Sequence, residues 1–279
     1  MSSERRFWHR FFSSVALVSC CLGGIAQAKT LVELSATAKK TTVFLTVEYV
    51  DHLTNTVKRQ TGSGVIISEN GDVLTASHVV KVWQAQTDEE KQDHRIVGRI
   101  GDIHASRSFD MMTKDVPDNP DIALLQFFDQ TDPYPTANVC FIQRPATGST
   151  LTAFGFPDHG NFTPATGSFS NAGGDGGLWQ VGVPLTEGMS GGPVYDPEGN
   201  VVGLVKGAID FNANVGFVVP VAWSRGVLQA RAGVDQKCLT QAAQPQIPAN
   251  SEVNQTCNEV LFSDMSVSPP RFEKRTICQ

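Results

Sequence analysis

The stretch Gly188-Met189-Ser190-Gly191-Gly192-Pro193 surrounds a serine hydroxyl with very little side-chain bulk. Glycines on both sides of a serine let backbone N–H groups approach a substrate carbonyl closely. Such a serine can attack a carbonyl carbon, and the N–H groups of Gly188 and Ser190 can stabilise the negative oxygen that forms. The stretch predicts a nucleophile with an oxyanion hole. The alternative is a tight turn between strands, which is what most glycine-proline clusters are.

Two further stretches favour the nucleophile. Leu74-Thr75-Ala76-Ser77-His78 ends an apolar run with a histidine, and Asp121-Ile122-Ala123-Leu124-Leu125 opens a buried-looking strand with an aspartate. A histidine can take the proton of an attacking serine, and a buried aspartate can fix the histidine tautomer and stabilise the imidazolium. The sequence therefore predicts His78 as general base, Asp121 as its orienting partner and Ser190 as nucleophile.

Other histidines and aspartates lack this context. No Thr-Ala-Ser lead-in precedes any of the remaining candidates for the base, which are His52, His94, His104 and His159. The rival aspartates lie in the polar, proline-containing segment 106–120, which predicts a surface loop; they are Asp110, Asp115 and Asp118. A packing histidine and a strand-capping aspartate remain the alternative interpretations of His78 and Asp121.

The three stretches resemble the motifs T-A-x-H, D-I-A-L and G-x-S-G-G-P of the trypsin-like (chymotrypsin-fold) serine proteases, in the same order. The run from Gly62 to Val80 resembles the Deg/HtrA branch of that family. The resemblance implies an all-β fold of two six-stranded antiparallel β-barrels, with the active site in the cleft between them. Many short strands without βαβ alternation also favour barrels over a subtilisin-like α/β sheet.

The resemblance further implies where a substrate side chain would bind. The residue six before the nucleophile, which sets the pocket base in this family, is Pro184, and no carboxylate stands there to pair with Arg or Lys. The far wall would come from Val205-Lys206-Gly207 and Val215-Gly216-Phe217. Cleavage after small or medium apolar residues is expected. Lys206 and Glu187 are the side chains that could lean in and admit a polar group instead.

Composition and the resemblance together divide the chain into five expected parts. They are a signal peptide at 1–28, an N-terminal barrel with His78 and Asp121 at 29–128, an interdomain linker at 129–138, a C-terminal barrel and closing helix with Ser190 at 139–232, and a cysteine-containing tail at 233–279. Strands are predicted at 41–50, 62–68, 72–76, 95–105, 122–127, 151–157, 178–183, 201–205 and 215–219, a helix at 221–232, and an exposed loop or short helix at 84–94. The tail is too short for the PDZ module that Deg/HtrA proteins usually append.

Charge and cysteine content limit the possible partners. Without residues 1–28 the chain has 19 basic and 27 acidic residues, a net charge of −8, which disfavours nucleic acid and anionic membranes. The expected partner is a protein or peptide substrate, and no cofactor is expected. The spacing of Cys140, Cys238, Cys257 and Cys278 is unlike a zinc site. An even number in an exported chain predicts two disulfides, with three connectivities open.

The first 28 residues have the pattern of a targeting segment. Arg5, Arg6 and Arg10 precede a mostly apolar run, and Ala26-Gln27-Ala28 offers small residues for cleavage, so a secreted or periplasmic protein is expected. The competing interpretation is a lipoprotein, because Leu17-Val18-Ser19-Cys20 resembles a lipobox and would anchor the protein to a membrane through Cys20. Cleavage after Ala28 is favoured because it follows the longer apolar run.

Together these features predict an exported serine endopeptidase that works through an acyl-enzyme intermediate. One alternative is a catalytically silent binding or scaffold protein on the same fold, which would usually have lost a residue of the triad. Another is an esterase-type acyl hydrolase, since the acyl chemistry is shared and a fold does not fix its substrate.

The two interpretations of the leader differ in the mass of the exported protein. Intact-mass measurement is expected to give a chain that begins at Lys29 and has no lipid, because signal peptidase would cut after Ala28. A diacylated chain beginning at Cys20 would reverse this prediction and place the protein at a membrane surface.

Overall fold

A computed structural model describes residues 28–209, 212–234, 238, 257–264 and 271–278. The chain forms two units, residues 1–241 and 242–279. The predicted leader, up to residue 27, lies outside the described residues. Within the described ranges, no helix is both long and apolar enough to cross a membrane.

Six strands of the first unit close into an antiparallel barrel in the order β1-β2-β3-β6-β5-β4. They are β1 (Thr42–Asp51), β2 (Thr56–Ile66), β3 (Asp72–Thr75), β4 (Ile96–Ile100), β5 (Phe109–Asp115) and β6 (Ala123–Phe127). Alternate residues of β1 point inward, as the two-residue period of a strand requires, so Val43, Leu45 and Val47 are fully buried. Aromatic rings of Phe109, Phe127 and Tyr134 close one side of this core.

A second closed barrel follows in the order β10-β11-β12-β9-β8-β7. Its strands are β7 (Thr150–Gly155), β8 (Thr163–Asn171), β9 (Trp179–Val181), β10 (Pro193–Tyr195), β11 (Val201–Ile209) and β12 (Asn212–Pro220). The architecture of two six-stranded antiparallel barrels confirms the predicted fold class. Trp179 and Phe169 meet edge to face in the second core.

Within the described ranges, four helices accompany the barrels: α1 (Leu31–Thr41), α2 (Ser77–Gln84), α3 (Asp88–Asp93) and α4 (Arg225–Ala232). Short 3-10 turns occupy Pro157–His159, Asp175–Gly177 and Val221–Ser224. Helix α1 begins with a capping box between Thr30 and Glu33 and buries Leu34 and Ala38. These two side chains belong to the apolar cluster that also holds residues of both barrels and Leu228 of α4. Burial of this shared surface fixes one barrel against the other.

The structure corrects part of the strand prediction. The segment 106–120, predicted as a surface loop, contains β5, whose inward residues Phe109 and Met111 are buried and alternate with exposed neighbours. Charged residues on the outward face hid this pattern. The prediction also missed α1, α2, β8 and β10. The linker 129–138 has no regular structure, but it packs against the first barrel through Tyr134 and Ala137.

The second unit contains a two-stranded antiparallel hairpin, β13 (Cys257–Asp264) and β14 (Arg271–Cys278). The sequence analysis predicted no strands in this tail. Its register places Cys257 directly opposite Cys278. In the first unit, a disulfide joins Cys140 to Cys238 and closes a long loop, because the two residues are 98 positions apart.

These observations select one of the three connectivities. We expect Cys140–Cys238 and Cys257–Cys278, since the first pair is bonded and the second pair faces across a hairpin. Trypsin alone leaves Cys238 and Cys257 on one peptide, so a glutamate-specific protease should be added to cut after Glu252. Mass spectrometry without reduction then reads the pairing. A Cys238–Cys257 or Cys238–Cys278 peptide in the native protein would contradict it.

Candidate active site

His78 and Asp121 are brought together by the pairing of two strands. Strands β3 and β6 are antiparallel, with Thr75 opposite Ala123, so the end of β3 lies beside the beginning of β6. His78 follows Thr75 by three residues, in the first turn of α2, and Asp121 precedes Ala123 by two. The sequence analysis placed His78 at a strand end. The structure shows that a helix begins there.

The Asp121 carboxylate makes two hydrogen bonds to one residue. Its Oδ2 lies 2.8 Å from His78 Nδ1, and its Oδ1 accepts the His78 backbone N–H at 2.9 Å. The N-cap residue of α2, Ala76, has no side chain that could cap the helix. Asp121 therefore supplies the anionic acceptor that an N-terminal turn favours. Both the ring and the backbone of His78 are fixed by this one group.

Lys206 is a third partner of Asp121. Its Nζ donates to Asp121 Oδ2 at 2.6 Å. Burial of the carboxyl acts to raise the pKa of Asp121, but the hydrogen bonds from His78 and Lys206 outweigh burial and hold that pKa well below its usual range. Asp121 is thus ionised at neutral pH.

The Ser190 loop depends on glycine at two positions. Gly188 and Gly191 have φ values of +84° and +80°, a region that residues with a Cβ rarely adopt. A Cβ on Gly188 would lie 2.3 Å from the Phe156 carbonyl, and one on Gly191 would lie 2.2 Å from Thr75 Oγ1. The loop can therefore pack against both barrels only without side chains at these positions.

Ser63 of β2 connects the first barrel to this loop. Its N–H donates to the Ser190 carbonyl at 2.8 Å, and its Oγ donates to the Gly188 carbonyl at 2.8 Å. The same hydroxyl accepts the Phe156 N–H at 3.2 Å, and Ser63 is fully buried. These bonds hold the carbonyls of Gly188 and Ser190, so a residue of the first barrel sets the position of the Ser190 loop on the second.

The backbone donors of the loop divide into two groups. Met189, Gly191 and Gly192 donate to the carbonyls of Thr186, Val205 and Met189, respectively. Among the described residues, no acceptor is recorded for the N–H groups of Gly188 and Ser190. These two donors are the ones that an oxyanion hole would use.

The Ser190 hydroxyl has a long hydrogen bond, 3.5 Å, to the Lys206 carbonyl. No hydrogen bond from Ser190 to the His78 ring is recorded in the part of the chain that the structure describes. Bonds of this kind are often long before substrate binds. The side chain of His78 is 36% exposed, which leaves part of the ring accessible to solvent.

The residues predicted for the substrate pocket lie in different settings. Pro184 is exposed, Val205 is buried, and Gly207 has open space where a Cβ would stand. Gly216 is buried against Leu185, and the Phe217 ring lies against Gly174. The ammonium of Lys206 is at Asp121. The assignment of these residues to a specificity pocket stays a prediction.

Two features of the site were missed by sequence reasoning. Ser63 appeared only as part of a strand, although its place between two glycines was a signal of close packing. Lys206 was assigned to the pocket wall, and nothing in the sequence indicates that its side chain reaches Asp121. Neither contact could be found without the relative placement of the barrels.

Among the described residues, no group of three or more His, Cys, Asp or Glu side chains is placed to hold a metal ion.

Two closed barrels, with a His-Asp pair on one and a glycine-lined serine on the other, define the chymotrypsin type of architecture. Residues 62–204, just over half of the chain, match the family model described as the trypsin-like peptidase domain. The chain belongs to this family.

Curated relatives cover a similar part of the chain. It is 29% identical over 156 residues, 53% of its length, to the uncharacterized protein y4bJ of Sinorhizobium fredii. It is also 29% identical over 171 residues, 57% of its length, to the putative protease Do-like 14 of Arabidopsis thaliana. The matches span only 22% and 38% of those two proteins.

A solved structure, titled the serine endoprotease from Yersinia pestis, matches with a TM-score of 0.56 and 22% identity. The match covers 73% of this chain and 67% of the other. At this identity the likeness concerns the fold.

The Ser63 contacts generate a testable expectation. In Ser63→Ala the Gly188 carbonyl and the Phe156 N–H lose their buried partner, so the Ser190 loop is held less firmly. We expect kcat for peptide hydrolysis to fall roughly tenfold or more, with KM little changed, because the lost precision acts mainly in the transition state. The free energy of unfolding should also fall, by about 1–3 kcal/mol.

A matched control is Ser149→Ala, which removes an exposed hydroxyl that donates to the Ala146 carbonyl. It should leave both quantities nearly unchanged. Steady-state kinetics well below the unfolding temperature separates the two effects. An unchanged kcat in a folded Ser63→Ala protein would show that the loop needs no such support.

Proposed function

We propose that the protein is an exported serine endopeptidase. The observations that support this proposal are the His78–Asp121 hydrogen bond on the first barrel and the glycine-lined Ser190 on the second, where the N–H groups of Gly188 and Ser190 have no recorded acceptor among the described residues. A scaffold protein would have no need to keep two such donors unused.

In the proposed reaction, Ser190 Oγ attacks the scissile carbonyl carbon while His78 Nε2 takes the hydroxyl proton. The carbonyl π electrons move to the oxygen, which accepts hydrogen bonds from the N–H groups of Gly188 and Ser190. His78 then returns the proton to the leaving amine as the C–N bond breaks, which gives an acyl-enzyme. Water attacks the ester by the same route, with His78 again as base, and releases the acid.

The role of Asp121 is to hold His78 and remain charged. Its low pKa means that it does not take the proton from the imidazolium, and it stabilises the positive ring that forms in each step. Its bond to the His78 backbone N–H ties the first turn of α2 to the same carboxylate that contacts the ring.

The proposed substrate is a peptide with a small or medium apolar residue before the cleaved bond. Pro184 and the apolar Val215 and Phe217 offer no carboxylate to a basic side chain, and burying an unpaired guanidinium or ammonium would be unfavourable. The ammonium of Lys206 binds Asp121, which supports the view that this charge does not enter the pocket.

Export is supported by the covalent chemistry of the first unit. The Cys140–Cys238 disulfide is of a kind that persists mainly in oxidising compartments. Together with the targeting pattern of residues 1–28, it supports a secreted or periplasmic location.

The chemistry of Ser190 can be tested before a natural substrate is found. A fluorophosphonate probe should label the native protein once, at Ser190, because only an activated serine displaces fluoride at a useful rate. Ser190→Ala and His78→Ala should lose the label while unfolding at nearly the native temperature. Ser168→Ala, which removes an exposed hydroxyl of β8, should label normally. Labelling that persists in folded Ser190→Ala would sink the assignment.

The pocket prediction is tested by a peptide library. We expect cleavage after Ala, Val or similar residues, with Arg and Lys disfavoured by about tenfold or more, since an unpaired buried charge costs at least that much. Mass spectrometry of the cleaved peptides gives the profile. Dominance of Arg or Lys at the cleaved position would mean that the pocket lies elsewhere.

A further inference from the structure

Lys206 contacts two members of the proposed triad through two different atoms. Its Nζ lies 2.6 Å from Asp121 Oδ2, the same oxygen that lies 2.8 Å from His78 Nδ1. Its carbonyl accepts the Ser190 hydroxyl at 3.5 Å. The side chain extends from β11 of the second barrel to a carboxylate on the first, and 38% of it is exposed. This contact is the ion pair that joins the barrels at the site.

We propose that Lys206 is a positioning residue that extends the working range of the triad to lower pH. The inference rests on the proposed function and concerns how the same site is tuned. The ammonium and the His78 ring share one carboxylate oxygen, so they are close neighbours. A fixed positive charge in that place opposes protonation of the resting imidazole and leaves it available as a base in more acidic solution.

The size of the effect follows from the separation of the charges. Two unit charges about 5 Å apart at the surface of a protein interact strongly enough to move a titration by roughly one pH unit. The effect is electrostatic, so added salt should reduce it. The ammonium also opposes the imidazolium formed during reaction, which lowers the maximal rate somewhat. In return, Lys206 helps to fix the Asp121 carboxylate, which then has hydrogen-bond donors from both barrels.

Few other charges are placed to compete with Lys206. On α2 itself, Lys81 pairs with Asp118 of the loop that precedes β6, and both side chains are mainly exposed. From β2, the neutral amide of Gln60 donates to the His78 carbonyl. The nucleophile loop contributes the exposed Glu187. Asp121 is the one carboxylate recorded in contact with the ring among the described residues.

The test compares Lys206→Met with the native protein. Methionine retains the length of the chain and removes the charge. We expect the midpoint of the His78 ring titration, followed by NMR of the imidazole protons, to move upward by roughly one pH unit. The acidic limb of the kcat/KM profile for peptide hydrolysis should move in the same direction. Lys206→Arg, which keeps a cation, should restore most of the native behaviour in both measurements.

The matched control is Lys81→Met, which removes an exposed cation from the helix that carries His78 itself. It should move the titration by much less than Lys206→Met. If Lys206→Met unfolds, Lys206→Gln serves as the second variant, since it retains a donor for Asp121 without the charge.

The two readouts separate this inference from the proposed function. A protein that titrates as expected but hydrolyses no peptide would retain the inference and overturn the proposed function. A ring titration that stays within about 0.3 pH unit of the native one, or moves downward, in folded Lys206→Met or Lys206→Gln would overturn the inference, because an adjacent unit charge must exceed that shift. An unshifted acidic limb in an active variant would do the same.

Discussion

The carboxylate of Asp121 is the group on which the geometry of the site depends. It accepts hydrogen bonds from the His78 ring, from the His78 backbone and from Lys206, so one residue joins a loop, the start of a helix and a strand of the other barrel. Burying a carboxylate is costly unless its lone pairs are satisfied. Here three donors satisfy them, and the result is an anion whose position is fixed in advance of any chemistry.

A second set of contacts fixes the position of the Ser190 loop in the same way. Ser63 bonds to the carbonyls of Ser190 and Gly188 from the opposite barrel, and the glycines at 188 and 191 let the chain come close enough for those bonds to form. Buried hydrogen bonds of this kind are directional, so they set position more sharply than apolar packing does. The apolar cluster shared by the barrels supplies the adhesion, and the polar contacts supply the alignment.

The sequence could predict those parts of the fold that depend on local residue patterns. The strands predicted at 41–50, 62–68 and 72–76 lie in β-branched runs, and the structure has β1, β2 and β3 there. Strand β5 was missed because Asp110 and Lys114 on its outward face made the segment polar, whereas only Phe109 and Met111 point inward. Helix α2 was missed because its eight residues follow β3 with no capping side chain of their own; the cap comes from Asp121, 43 positions away.

The site shows the same difference between residues that lie in local motifs and contacts made between distant parts of the chain. His78, Asp121 and Ser190 were predicted as a triad because each stands in a local motif, and the structure brings two of them, His78 and Asp121, into contact. The contacts of Ser63 and Lys206 arise from the docking of one barrel on the other. Local sequence patterns do not indicate how the barrels dock. Long-range contacts of this kind place the ammonium of Lys206 near His78 and align the Ser190 loop.

The most direct measurement of the central claim is a crystal structure of the protein with a peptide boronic acid, whose boron mimics the tetrahedral carbon of the acyl intermediate. The account predicts a covalent bond from Ser190 Oγ to boron. It also predicts one boronate oxygen about 3 Å from the N–H groups of Gly188 and Ser190, with His78 hydrogen-bonded to a second oxygen. A boronate bound away from Ser190, or one whose oxygens point away from those two N–H groups, would contradict the proposed mechanism.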